Sequence, residues 1–231
     1  MAILTVKQTI TFLTLLNFFV ACTNQNSTEN KTSPELATQQ QEADNAKQFL
    51  DLFEEIEPEN LHVYSPDDLT NGDKFKGKII DQRFYKLLAF ENNSKFSVND
   101  KISHFYSCFK FKLSNTKTGL IIRTPSQYEE SAIDLLIWDN SLKKIIGING
   151  LADAFGDEGW YFVQDAWLKD LNNDTRIDIV TLYRDIAYDL DDSTKVTRTD
   201  SLFTWLNMDI KFKKTVSKLD TTKYKLHNWT P

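Results

Sequence analysis

Between Trp167 and Thr181 the chain places Asp170, Asn172, Asp174 and Asp178 at the first, third, fifth and ninth positions of one polar run, with the carbonyl of Arg176 at the seventh. Oxygen donors at that spacing can converge on a single point, and calcium takes about six to eight such oxygens. The three carboxylates, the Asn172 amide and the Arg176 carbonyl would supply five, with water or a nearby Asp completing the shell; the acidic loop Asp189, Asp191 and Asp192 could lend that oxygen, though a surface turn is the favoured reading of it. A calcium ion there would be structural, gathering carboxylates that otherwise repel one another and pinning two strands. An Asx-rich turn between strands is the other reading, because Asp and Asn side chains hydrogen-bond their own backbone two residues on. Thr175 stands at the sixth position, where the sharp turn usually takes Gly, and Thr181 at the twelfth, where a helix–loop–helix site has Glu. That second departure excludes an EF-hand.

Asp153, Asp157 and Glu158 cluster around Gly156 and Gly159, just before Trp160-Tyr161. Paired carboxylates beside aromatic rings are the chemistry of sugar hydrolysis, so Asp157, Trp160 and Tyr161 are a candidate ligand surface for a glycan. A solvated acidic turn accounts for the same residues. Trp138, Trp160, Trp167 and Trp205 are candidates for a stacking platform or, alternatively, for half-buried sheet positions. The three histidines, His62, His104 and His227, share no helical or metal-ligand spacing, which argues against zinc. The chain has no G-x-S-x-G elbow and no phosphate-cradling glycine loop, so a binding role is expected over a catalytic one.

The remaining chemistry is at the N-terminus. One cation, Lys7, precedes an apolar stretch from Ile10 to Ala21 that ends Phe19-Val20-Ala21-Cys22. A bilayer span needs roughly 20 apolar residues, and this stretch has the length of a secretory signal core instead. Thr23 to Lys31 is rich in Asn, Ser, Thr and Gln and cannot bury enough apolar surface to fold, which makes it a flexible tether.

Phe19-Val20-Ala21-Cys22 resembles the lipobox of bacterial lipoproteins, with Phe19 where that pattern usually has Leu. The resemblance implies cleavage before Cys22 and acylation of its thiol and amino group, palmitate included, with more than one chain giving a firm anchor. Thr23, in place of Asp, implies the outer membrane, on its periplasmic face or at the cell surface. The Asp170–Asp178 run resembles the calcium loops of FG-GAP and VCBS-type β-proteins, where the loop joins two strands. The run Ser201-Leu-Phe203-Thr-Trp205, a turn and Lys211-Phe212 is similar to the hairpin that follows such a loop in bacterial lipoproteins of unassigned role.

Removal of residues 1–21 leaves 210 residues and, with Lys7 gone, takes the net charge from −6 to −7. Such an acidic chain is a poor partner for nucleic acid. With Cys22 acylated, Cys108 has no cysteine to pair with, and it lies in a strand-like run whose other face would carry Phe105, Ser107, Phe109 and Phe111. An inert packed thiol is expected.

Ser33-Pro34 marks a helix start, and Leu36, Ala43, Ala46, Phe49, Leu50, Phe53 and Ile56 recur at helical spacing until Pro58. This predicts a helix of about five turns bracing the domain. Residues 59–75 read as a polar loop. Beyond it, strands are expected at 76–90, 104–113, 119–124, 132–138, 143–149, 159–168, 176–186, 201–206 and 210–216, with a turn over 153–159. The expected organisation is signal 1–21, tether 22–32, amphipathic helix 33–58 and a β-rich domain 59–231. The fold class is mainly β, an antiparallel meander forming a sandwich, a barrel or a partial propeller. The function this implies is a membrane-anchored, calcium-stabilised binding module for a protein partner, such as an inhibitor or immunity protein; a glycan-binding or glycan-active envelope protein is the alternative.

Overall fold

The computed structural model describes residues 34–65, 73–88, 104–124, 132–157, 159–189, 195–208, 211–216 and 218–227. Cys22, the signal segment, the tether and Asp191 and Asp192 lie outside the described residues. The chain is mainly β. Among the described residues eleven strands form one sheet: β1 (Glu54–Glu55), β2 (Leu61–Val63), β3 (Lys78–Ile79), β4 (Tyr106–Lys112), β5 (Lys117–Thr124), β6 (Ala132–Asp139), β7 (Lys144–Asp157), β8 (Trp160–Lys169), β9 (Asp178–Tyr188), β10 (Val196–Asn207) and β11 (Phe212–Val216). From β4 to β11 each strand pairs antiparallel with its sequence neighbour. The sheet is not closed into a barrel; β1 joins its β4 edge in parallel, β3 also pairs with β4, and β2 pairs with β8.

The long strand β7 explains how one meander builds a layered core. Its residues Lys144–Ala152 pair with β6, and Asp153–Asp157 pair with β8. Where the partner changes, Leu151 is an extra residue opposite the step from Ile133 to Asp134, a bulge that bends the strand. A bulge releases carbonyls from the ladder. Here Gln164 Nε2 donates to the Gly150 oxygen at 3.2 Å and to the Leu151 oxygen at 3.0 Å, so the bend is held from the neighbouring strand.

The bend lets the two halves of the sheet face each other. Ile121, Ile133, Leu135 and Ile137 from one half pack with Leu61, Val63, Ala166, Leu168, Ile179 and Phe212 from the other. On the outer face of the first half, Leu120, Ile122, Leu136 and Trp138 pack with Ala46, Phe49, Phe53, Phe84 and Leu88. With both faces covered, Ala132–Trp138 is buried at every position, which is why β6 reads as a near-continuous apolar run.

Helix α1 (Pro34–Leu50) supplies the brace. Phe49 is fully buried, with ring centroids 5.4 Å from Phe53, 5.9 Å from Phe84 and 5.6 Å from Trp138. Burying that side chain contributes about 1.5–3 kcal/mol. The helix stops at Leu50, short of the expected 58. Its end is fixed by β4, whose Lys110 Nζ donates to the Leu50 carbonyl at 3.0 Å, a cation on a helix C-terminus. Phe53 remains in the same core, but Glu54–Glu55 turns into strand β1.

Four other expectations need correction. The 59–75 segment is not simply a polar loop: it holds strand β2, and Leu61, Val63 and Phe75 enter the core because β2 pairs with β8. The segment 76–90 is not one strand: after β3 it forms a 3₁₀ turn at Gln82–Phe84, opened by Asp81 accepting from Arg83 N–H, and then the short helix α2 (Tyr85–Leu88). The 153–159 turn is mostly strand, since β7 runs to Asp157 and Gly159, at φ 86, lies in the tight connection to β8. Cys108 sits at a bulge between Ser107 and Phe109, so it joins Phe109 and Phe111 in the inter-half core and does not oppose them.

Candidate functional site

The Asp170–Asp178 loop joins β8 to β9, as the spacing implied. Asp170 organises it: Oδ1 accepts from the N–H groups of Asn172 at 3.3 Å and Asp174 at 3.2 Å, and Oδ2 accepts from Thr175 N–H at 2.8 Å. Thr175 takes φ 65 and Asn173 φ 59. The sharp left-handed turn therefore forms without the glycine that ordinarily makes it easy, at some conformational cost for a β-branched residue. Asp178 begins β9 fully buried, accepting from Leu171 N–H at 3.1 Å and Asn207 N–H at 2.8 Å, which ties the loop to the end of β10. Burial pushes its carboxyl upward, and the neighbouring Asp174 and Asp170 charges add to this.

Arg176 contributes more than the carbonyl expected of it. Its Nε and Nη2 donate to one oxygen of Asp174 at 2.8 and 2.5 Å, and this fork holds the Asp174 carboxyl below its usual range. The guanidinium thus supplies positive charge at a carboxylate that calcium would require. Among the described residues no three carboxylate, imidazole or thiolate groups are arranged to hold a metal ion. The loop has the left-handed turn that a calcium loop needs, while both oxygens of Asp170 and of Asp178 are taken up by backbone N–H groups. Asp189 does not belong to this site: it follows the far end of β9, on the order of 30 Å of extended chain away.

The second candidate surface is a face of β7–β11. Pairing of Phe155 with Phe162, Gln164 with Tyr183 and Phe162 with Asp185 puts these residues on one side of the sheet, with Trp160 two positions before Phe162. Ring centroids step from Phe155 to Trp160 at 6.1 Å, from Trp160 to Phe162 at 5.4 Å and from Phe162 to Tyr183 at 5.6 Å, the last pair stacked. Trp160 is 38% exposed and the other three are half-buried. The indole Nε1 of Trp160 donates to Asp185. Burial, reinforced by Asp185, raises the Tyr183 hydroxyl above its ordinary pKa.

This face takes only part of the expected ligand surface. Trp160 belongs to it, and Asp157 pairs directly with Trp160 across the β7–β8 turn. Tyr161 lies on the opposite face, over Gly156. The four tryptophans do not form one platform either. Trp138 is core, Trp167 shares the face of Tyr161, and only Trp160 and Trp205 share the aromatic face.

The third cluster has no counterpart in the sequence reading. Strand β2 places Leu61 and Val63 in the core and turns His62 to the other side, where it stacks on Trp167 with centroids 4.4 Å apart. His62 Nε2 donates to Asp165 Oδ2 at 2.7 Å, and the backbone N–H of His227 donates to the same oxygen at 2.7 Å. The His227 ring stacks on Tyr64 at 3.5 Å, and Tyr224 packs edge-on against Trp167. Asp165 thus binds β2 and the C-terminal segment onto β8. No local signal could have announced it, because the partners are 103 and 62 residues away.

Cys108 is buried, as expected of a packed thiol. Its thiol donates to the Phe75 carbonyl at 3.4 Å, and burial pushes its pKa up to about 12.

No family model, curated protein or solved structure matches the chain.

Proposed function

We propose that this protein is an outer-membrane lipoprotein, anchored through Cys22, that serves as a calcium-stabilised binding module and meets a protein partner with the aromatic face of β7–β9. The observation that carries this reading is the row Phe155, Trp160, Phe162 and Tyr183 on a sheet face that the opposing half of the sheet leaves partly open. Rings account for much of the binding energy at protein interfaces, because they offer large, stiff contact area at low conformational cost. The polar tether would give the domain reach from the membrane, and the acidic charge would steer the encounter.

Calcium acts at the other end of the same strands. The β8–β9 loop already has the required turn, and a cation there would displace Arg176 from Asp174 and join Asp170, Asn172 and the Arg176 carbonyl. The displaced ion pair is a surface one and contributes little to stability, so millimolar calcium can compete. The ion would firm the junction of β8, β9 and β10, on which the aromatic face is built.

Immobilised protein exposed to a detergent extract of the cell envelope tests the reading. A partner retained by the wild type and by Leu142→Ala, a change at an exposed residue elsewhere, is expected to be lost with Phe162→Ala. Equal retention by all three would refute the assignment of this face.

A further inference from the structure

The aromatic face already holds one ammonium of its own. Lys214 Nζ lies 3.4 Å from the centroid of Phe203 and 5.5 Å from that of Trp205, near the β10–β11 edge. Resting on the reading of this face as the binding surface, we propose that its other end, Trp160, Phe162 and Tyr183 with the Asp185 carboxylate, receives the cationic side chains of a basic segment in a protein partner.

The chemistry of this end favours a cation. The π faces of Trp, Tyr and Phe attract ammonium and guanidinium groups, Trp most strongly. The indole N–H of Trp160 holds the Asp185 carboxylate against the rings, so a formal negative charge sits at the rim of the π surface. Asp153 shares the face, being paired with Gln164. Among the described residues, none of the chain's own cations lies over Trp160, Phe162 or Tyr183, in contrast to Phe203 at the far end. The net charge of −6 extends the complementarity beyond the contact itself.

The shape of the site selects a peptide segment over a small amine. The four rings step across three strands, β7, β8 and β9, with Trp160 exposed and the other three half-buried. A single small cation would meet one or two of them. An extended chain with Lys or Arg at alternate positions presents its cations on one side, at the period of a strand, and can meet several.

Fluorescence anisotropy of labelled peptides with the full mature chain tests this. The probes are an alternating Lys-Ser peptide, a Glu-Ser peptide and a Gly-Ser peptide of equal length. The expected result is saturable, salt-sensitive binding of the Lys-Ser peptide alone, weakened roughly tenfold or more by Trp160→Ala and by Asp185→Asn. Glu54→Gln removes a charge from an exposed strand at the other end of the sheet, and it should leave the affinity within about twofold. Unchanged unfolding midpoints would show that the variants remain folded. Equal weakening by Glu54→Gln would overturn the site in favour of general acidity. Silence of the Lys-Ser peptide overturns it too. If a neutral oligosaccharide then bound in a Trp160-dependent manner, the face would stand as a binding surface and only its ligand class would change. Loss of the envelope partner with Phe162→Ala, in the absence of peptide binding, would make the same distinction.

Discussion

His62 Nε2 and the buried carboxylate of Asp165 lie 2.7 Å apart, and the same carboxylate oxygen accepts the backbone N–H of His227. One oxygen therefore holds an early strand and the end of the described chain to β8. Asp165→Ala leaves both donors without their acceptor at a site 1% exposed. A loss of about 1–3 kcal/mol is expected in urea unfolding. Hydrogen exchange should rise specifically over residues 220–227. A variant as stable as wild type, with the C-terminal segment still protected, would show that the cluster is incidental.

The turn between β6 and β7 gives a signed pH dependence. Asp139 accepts from Leu142 N–H and Ser141 N–H, each at 2.9 Å, and the first of these bonds does most to hold its carboxyl below the ordinary value. A carboxyl depressed in the folded state stabilises above its unfolded pKa and loses that contribution as pH falls through the folded one. The stability difference between wild type and Asp139→Asn should therefore be largest near neutrality and shrink under acid. A difference that stayed constant from pH 7 to pH 3 would contradict the assigned cause.

Cys108 should resist alkylation by iodoacetamide in the folded protein at pH 8 and react readily in urea. The thiolate is the nucleophile, and a thiol with its pKa pushed up to about 12 supplies little of it. Fast labelling of the native protein would mean that the packing around Phe75 opens.

Arg176 and calcium are expected to compete for Asp174. Millimolar calcium should raise the unfolding midpoint of the wild type, and EDTA should reverse the effect. Arg176→Gln is expected to tighten calcium binding severalfold by freeing Asp174 while keeping the backbone carbonyl. Asp174→Ala should abolish the response. No calcium-dependent shift in wild type or Arg176→Gln would leave the loop a hydrogen-bonded Asx turn.

The periodicity of the sequence located most strands because each is flanked by turn chemistry and buries at least one face. The loop was legible as a turn between strands for a similar reason, since its Asp and Asn residues are local and their spacing is the signal. The faces were harder. The bulges at Cys108 and Leu151 change which side a residue meets, and a shift of one position reverses an entire strand face. Tyr161 and Trp160 were grouped as neighbours in sequence and proved to be on opposite sides. Helix α1 begins where Ser33-Pro34 placed it but ends at Leu50, not 58, where its last carbonyl meets Lys110, sixty residues on. The Asp165 cluster depends wholly on distant register, and none of it was visible beforehand.

The opposition of Trp160 and Tyr161 provides the most direct test of the central claim. A photo-crosslinking p-benzoylphenylalanine would be placed at position 160 or at position 161 of the anchored protein, and envelopes would be irradiated. Adjacent positions share their local chain and differ in the face they report. Adducts to a discrete partner from position 160 and none from position 161 are the expected result. Adducts from 161 alone, or equally from both, would contradict the assignment of the aromatic face as the binding surface.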